Sequence, residues 1–303
     1  MSDESARGAR PRLEDSRQPL PEDTRGILSP AEMMRHVRFA RHPLPAELDG
    51  LMACGWAVEW DLPAGRRHVQ DVLPFPSVNV SVGDAPPEGP HPGPGPHLVR
   101  AYVTGHTRTV TTRVLSGRGR NVALRSTVGG FGAWVDDVAA LEDRVVTLDA
   151  VLPGAAARAL AVHDLEPAAA VAGLAGLLVD ALGQQPADRV RAAREVAGWA
   201  GIAERDRTIR TVDGLARAAG VSARTLQRMV SRSAGVPPAW ILRRYRLLDA
   251  IEEVRDGGPV SWADVAATLG YSDQAHLTRD FTATIGTSPA AYAAGQRSST
   301  PPE

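Results

Sequence analysis

Two stretches of the chain repeat one pattern: LARAAGVSARTLQRMV at residues 215–230 and VAATLGYSDQAHLTRDF at residues 265–281. In the first, Ala216 stands four residues before Gly220, and the second stretch has the same pair at the same spacing. A small alanine lets two helices cross closely, and a glycine after a helix accepts the positive φ of a tight turn. The spacing therefore predicts two helix-turn-helix units in the last third of the chain.

The second helix of each unit is predicted to have an apolar and a polar side. Leu226 and Val230 stand four residues apart and face inward in the first unit, as Leu277 and Phe281 do in the second. The opposite sides carry groups that can pair with base edges or phosphates in a major groove. In the first unit these are Arg224, Gln227, Arg228 and Ser231; in the second, Thr278, Arg279 and Thr282, flanked by Gln274 and His276. We also predict that Ser222 and Ser272 cap these helices.

The segment PPAWILRRYRLLDAIEEVRDGG between the two units is typical of one long helix. Pro237 and Pro238 open it, and Gly257 and Gly258 close it. A helix from 238 to 255 would be about 27 Å long, against ~34 Å for one turn of B-DNA. Such a rod would hold two recognition helices in successive major grooves. Its arginines are predicted to contact phosphates: Arg243, Arg244 and Arg246.

The distribution of charge favours this interpretation more than the net charge does. The 303 residues carry a formal net charge of −1, which by itself indicates no partner. Between Ser222 and Leu248, however, all the charged side chains are arginines, and no acid interrupts them. A solvated helix face would look similar, but the position of the cluster within the two predicted units favours nucleic acid.

The part of the chain before residue 150 is predicted to be β-rich. Short segments rich in Val and Thr, broken by Gly and Pro, indicate an antiparallel sheet, a sandwich or a small barrel. They lie at 55–62, 67–73, 77–83, 98–105, 109–117 and 121–127. Ser29 and Glu32 predict a short helix before them, capped by Ser29 with Glu32 reaching back. Residues 83–97 are predicted to form a proline-glycine loop.

The predicted fold class is α+β, a β-rich N-terminal domain followed by an all-α C-terminal domain. The predicted organisation is a disordered tail at 1–26, a β-rich regulatory or dimerisation domain at 27–150, a helical linker at 151–186, a DNA-binding domain at 187–295 and a polar tail at 296–303. Helices are predicted at 167–184 and 187–203. No run approaches the ~20 apolar residues that span a bilayer, and no signal peptide is evident, so the cytoplasm is the predicted location.

The sequence contains no recognisable catalytic or metal-binding pattern. Cys54, the single cysteine, stands in an apolar context. The histidines are scattered, with no carboxylate at a supporting offset: His36, His42, His68, His91, His97, His106 and His163. We therefore predict no enzyme, no cofactor and no metal. Two alternatives stay open: an enzyme or small-molecule-binding protein built on the β domain, and a dimerisation module that uses 167–184.

The C-terminal third resembles the AraC/XylS family of transcription regulators. The resemblance covers roughly 187–292. Its motifs are SARTLQRMV at 222–230, GYSDQAHLTRDF at 270–281 and IGTSPAAY at 285–292. Val230 and Ala293 depart from the family pattern, which has an aromatic residue and an arginine at these places.

The resemblance implies sequence-specific binding to double-stranded DNA. The base-reading residues that it implies are Arg224, Gln227, Arg228, Gln274, Thr278 and Arg279. Phosphate contacts are predicted for Ser222, Thr225, Ser231, Arg243, Arg244, Ser272 and His276.

The β-rich region resembles, less specifically, the front domain of a poorly characterised group of these regulators. The similar stretches are WAVEWDLP at 56–63, HVQDVLPFPSVNVSV at 68–82 and VGGFGAWV at 128–135. In the wider family such a domain binds a small effector or dimerises. The resemblance thus implies a small-molecule effector or a homodimer, with RNA polymerase as a further partner if the protein is an activator.

Overall fold

The structure, a computed structural model, describes residues 24–84, 98–255 and 261–299. A β-rich region precedes a helical region, which confirms the predicted α+β class. Most of the predicted loop at 83–97 and of the tail at 1–26 lies outside the described residues, as do residues 300–303 of the tail at 296–303.

The described part of the N-terminal region has two antiparallel sheets. The strands are β1 (Val37–His42), β2 (Met52–Asp61), β3 (Arg67–Val72), β4 (Asn79–Asp84), β5 (Val99–Thr104), β6 (Thr111–Ser116), β7 (Arg118–Ser126) and β8 (Val145–Thr147). Six of them form one sheet in the order β1-β2-β7-β4-β5-β8, and β3 pairs with β6. Each of the six predicted segments coincides with one strand from β2 to β7. The sequence missed β1, which carries charged residues and has Val37 as its one fully buried residue, and β8, which is only three residues long.

The helices of the described residues cluster in the second half of the chain. They are α1 (Pro30–Met33), α2 (Ala155–Val162), α3 (Pro167–Leu182), α4 (Ala187–Arg205), α5 (Val212–Ala218), α6 (Ala223–Ala234), α7 (Pro238–Arg255), α8 (Trp262–Thr268), α9 (Gln274–Ile285) and α10 (Pro289–Ser299). α3, α4 and α7 lie where the sequence predicts helices. Within the described ranges, no helix is both long and apolar enough to cross a membrane.

The segment predicted as a linker at 151–186 is an integral part of the β-rich domain. Leu174 and Leu178 of α3 are fully buried and share a core with Val80 and Leu124 of the large sheet. The indole N–H of Trp134 also donates to the Leu178 carbonyl at 3.1 Å. The predicted linker is therefore corrected. The apolar side chains that would have formed a dimer interface on 167–184 lie largely inside this chain.

Two predictions at the ends of the described chain also need correction. Residues 24–26 are not loose, because Arg25 forms ion pairs with Glu204 at 2.9 Å and with Asp249 at 2.6 Å. The polar tail begins inside α10, which continues to Ser299.

The short helix α1 begins at Pro30 as predicted, but its capping differs. Ser29 makes no side-chain cap hydrogen bond. Glu32 does not reach back to Ser29; its carboxylate contacts Arg35 and His36 further along the chain.

A second core joins the β-rich region to the helical region. Leu73 and Phe75 after β3 belong to the same buried cluster as Leu226 of α6 and Leu248 of α7. Burial of large apolar side chains typically contributes about 1.5–3 kcal/mol each. The two regions are thus packed together along α6 and α7, which positions the helices described next.

Candidate nucleic-acid interface

The first helix-turn-helix unit consists of α5 and α6. Thr211 caps α5 by accepting a hydrogen bond from the Gly214 backbone at 3.0 Å. The turn contains Gly220 at φ +69°. Ser222 then caps α6 by accepting from the Thr225 backbone at 3.1 Å. The predicted turn glycine and the predicted cap of this unit are therefore confirmed.

The second unit consists of α8 and α9, and its cap differs from the prediction. Gly270 has φ +74°, as the turn requires. The cap of α9 is Asp273, whose carboxylate accepts from the His276 backbone at 2.7 Å. Ser272 instead contacts Asp273 and the ring of His276. The prediction of Ser272 as the cap is wrong because the second turn has one extra residue, which places an aspartate at the position that Ser222 holds in the first.

The apolar sides of both second helices face inward. Leu226, Leu277 and Phe281 are completely inaccessible to solvent, and Val230 is almost so. This confirms the predicted facing of α6 and α9. The rings of Phe281 and Tyr292 lie 5.7 Å apart, so α10 packs behind α9.

The predicted base-reading residues lie on the outward sides of α6 and α9. The exposed ones are Arg224, Gln227, Arg228, Gln274 and Arg279; Thr278 is half-buried. Counted from the two caps, Arg228 and Arg279 occupy the same position in their helices. Exposure leaves these side chains available to a groove, and their contacts with bases remain predictions.

The predicted phosphate contacts divide into two groups. Ser231, Ser222, Ser272 and Arg243 are exposed, while Thr225 and His276 are half-buried. The Arg243 guanidinium lies 3.7 Å from the Asp280 carboxylate, so an acid shares this surface.

Arg244 cannot be a phosphate contact in this structure, which corrects the prediction. Its side chain is buried between α7 and the β-rich region, where it donates to the backbone carbonyls of Pro74 at 2.7 Å and Arg108 at 2.6 Å. The guanidinium also lies 4.6 Å from the centre of the Trp240 ring. Burial lowers the pKa of Arg244 to about 10, so the group stays charged at neutral pH. Its charge is used to hold two regions together.

A basic cleft between the two units was not predicted. A cavity of about 220 Å³ is lined by residues from 210 to the start of α5, by α7, by the second turn and by the start of α9, among them Arg210, Arg243, Arg246, Tyr271 and His276. Arg210 donates to the Thr268 carbonyl at 2.8 Å, which fixes it beside α8. In the sequence, Arg210 is a single arginine before α5, and nothing around it predicts a position in this cleft.

An acid contacts one of the residues that line this cleft. The Tyr271 hydroxyl donates to Asp280 at 2.8 Å. Burial and the neighbouring Asp280 carboxylate raise the pKa of Tyr271, so the phenol stays neutral and keeps donating. This hydrogen bond orients the aspartate within α9.

Comparison with known proteins agrees with the geometry of the C-terminal part. A family model described as "Helix-turn-helix domain" matches residues 215–295. A search of curated proteins gave no significant match. Among solved structures, the C-terminal domain of the response regulator AraT from Geobacillus stearothermophilus is 21% identical, with 33% of this chain and 84% of that chain covered and a TM-score of 0.31.

ToxT from Vibrio cholerae is similar over a longer stretch. It is 11% identical, with 75% of this chain and 97% of that chain covered and a TM-score of 0.40. The family model and the two capped units together define this part of the chain. Residues 215–295 of the chain therefore form a helix-turn-helix domain.

Proposed function

We propose that this protein is a sequence-specific DNA-binding transcription regulator whose helices α6 and α9 read successive major grooves. The observation that carries the proposal is the matched pair of exposed arginines, Arg228 and Arg279, on two capped helices joined by α7. At 1.5 Å per residue, the 18 residues of α7 span about 27 Å. That length suits two helices that enter the same face of a duplex about one turn apart.

The charges around the two helices support this function. Arg224 and Arg243 are exposed beside the base-reading candidates. Arg210 and Arg246 line the cleft between the units, where the backbone between two grooves would pass. Neutralising phosphates supplies much of the affinity of such proteins, and base contacts supply the specificity.

The β-rich region is proposed to regulate DNA binding by the helix-turn-helix domain. It packs directly on α6 and α7, so an effector bound there or a second copy of the chain would act on the orientation of the first recognition helix. We further propose that it either senses a small molecule or dimerises, as the family resemblance implies.

Selection of bound sites from random duplex DNA tests the proposal. Two short motifs with centres about 10 base pairs apart are the expected result, because each recognition helix reads one major groove. The matched control is the double variant Arg228→Ala/Arg279→Ala, which should enrich no motif while keeping the same thermal stability. Enrichment of no motif by the unaltered protein would reject sequence-specific binding, and a single motif would reject the two-groove geometry.

A further inference from the structure

Two histidines and a glutamate from separate elements meet at one edge of the β-rich region. Glu32 belongs to α1, His36 precedes β1, and His68 belongs to β3. One ligand atom from each side chain lies within 4.8 Å of the other two. The prediction that no histidine has a supporting carboxylate was therefore wrong: Glu32 stands four residues before His36, and folding adds His68 from the two-stranded sheet.

The contacts within the cluster are close. His36 Nε2 lies 3.0 Å from Glu32 Oε1. The rings of His36 and His68 lie 4.7 Å apart, with 38° between their planes. His68 Nε2 also lies 3.3 Å from Oε1 of Gln70, which is itself buried. Three possible metal-ligand atoms, two imidazole nitrogens and one carboxylate oxygen, thus lie close together, with an amide oxygen beside them.

We propose that Glu32, His36 and His68 form a binding site for a divalent transition-metal ion of the zinc type. Two imidazoles and one carboxylate are a donor set that zinc uses, with a fourth position left to water or another oxygen.

Closing the site needs only small movements. Zinc bonds of ~2.0 Å in a tetrahedron separate the ligand atoms by about 3.3 Å, so the present spacing has to contract by at most about 1.5 Å. His68 is 5% exposed and fixed by the pairing of β3 with β6. The side chains of His36 and Glu32 are 31% and 37% exposed, so both can rotate and the ion has a route from solvent.

The position of the site gives it a structural consequence. α1 begins beside Leu28, whose carbonyl accepts a hydrogen bond of 2.6 Å from the Tyr292 hydroxyl of α10. A metal that joins α1 to β3 would hold the segment on which α10 rests. Because a ligand that binds only the folded state stabilises it, the metal should raise the thermal midpoint of the full chain.

Metal titration of the untagged, chelator-treated full chain tests the proposal. We expect one equivalent of Zn²⁺ by calorimetry, and Co²⁺ should give the visible absorption of a four- or five-coordinate site. His36→Gln and Glu32→Gln should each weaken binding by at least ~10-fold, since even residues that only orient metal ligands contribute that much. Both residues are half-exposed, so these variants are expected to fold.

The matched control is His163→Gln. His163 lies 3.0 Å from Asp164 and thus forms a histidine–carboxylate pair outside the cluster. Its loss should leave Zn²⁺ affinity and the metal-induced rise in thermal midpoint unchanged. Sub-stoichiometric binding, equal affinity of the unaltered chain and His36→Gln, or an equal loss in His163→Gln would each overturn the assignment.

Discussion

The two helix-turn-helix units are built alike but stand in different surroundings. α6 ends at Gly235 with φ +73°, and α9 ends at Gly286 with φ +86°. A Cβ added to Gly235 would lie 2.8 Å from both the Ala139 backbone nitrogen and the His106 ring, whereas one on Gly286 would have no atom within 4 Å. The first unit is pressed against the β-rich region, and the second is open to solvent at the equivalent place.

The same difference appears at the glycine-rich turn after β7. A Cβ on Gly132 would lie 2.9 Å from the Cα of Ser233, near the end of α6. In the second unit, α9 packs on α10 and on Trp262 of α8, with ring contacts to Phe281. We infer that the β-rich region fixes the orientation of α6 by close packing, while it contacts α9 through the backbone hydrogen bond from Val110 to the Thr284 carbonyl at 3.4 Å.

Substitution of Gly235 and Gly286, which follow α6 and α9, should show the largest difference in stability between the two units. We expect Gly235→Ala to lower the free energy of unfolding by roughly 2–5 kcal/mol, because it adds overpacking to the strain of positive φ. Gly286→Ala should cost only about 1–2 kcal/mol, since strain alone acts there. Urea unfolding of both variants measures the difference. Equal losses would show that α6 is not held by the β-rich region.

The neighbouring arginines of α7 provide a second contrast, between the side that packs against the β-rich region and the side that is proposed to face DNA. Arg244→Ala should cost about 3 kcal/mol of stability, because buried carbonyls lose a charged donor. Arg243→Ala should cost less than about 1 kcal/mol but reduce the salt dependence of DNA binding by one phosphate contact.

Unfolding curves and the slope of log K against log salt check this contrast. Arg244→Ala should leave that slope unchanged at temperatures where the variant is folded. A lower slope for Arg244→Ala would mean that Arg244 contacts a phosphate after all.

Local sequence signals predicted the helical region well. The Gly220 turn, the Ser222 cap and the bounds of α7 depend on a few adjacent residues, and all were found where predicted. The strands β2 to β7 were likewise found from local composition and turn residues.

Contacts between distant residues were not predictable in the same way. Arg243 and Arg244 are adjacent and chemically identical, and only the docking of Pro74, 170 residues away, decides which is buried. The His36–His68 pair also depends on where the sheets bring β1 and β3. A single inserted residue in the second turn was enough to move the cap from Ser272 to Asp273.

The arginines that we propose to read bases test whether the two units contribute equally to recognition. Arg228→Ala and Arg279→Ala should each weaken specific binding by about 1–3 kcal/mol and relax the sequence preference in one half-site only. Arg228→Lys and Arg279→Lys keep the charge but lose the two-pronged guanidinium, so they should also relax specificity. Binding to a panel of half-site variants measures this. Loss of affinity without loss of preference would reassign both residues to phosphate.

The caps give the smallest and most local contrast, because the first unit is capped by a hydroxyl and the second by a carboxylate. Ser222→Ala should cost about 1 kcal/mol of stability, whereas Ser272→Ala should have almost no effect. The hydrogen bond from the His276 backbone holds the pKa of Asp273 below its usual value of 3.8.

The ionised Asp273 carboxylate therefore stabilises the fold above pH 3.8. This stabilisation is lost as the pH falls through the lower pKa that Asp273 has in the folded protein. Asp273→Asn keeps an acceptor but does not titrate, so its thermal midpoint relative to the unaltered protein should rise on acidification. Ser222→Asn, which changes the other cap to the same group, should show no such pH dependence. An identical pH response in both variants would mean that the carboxylate of Asp273 does not hold the second recognition helix.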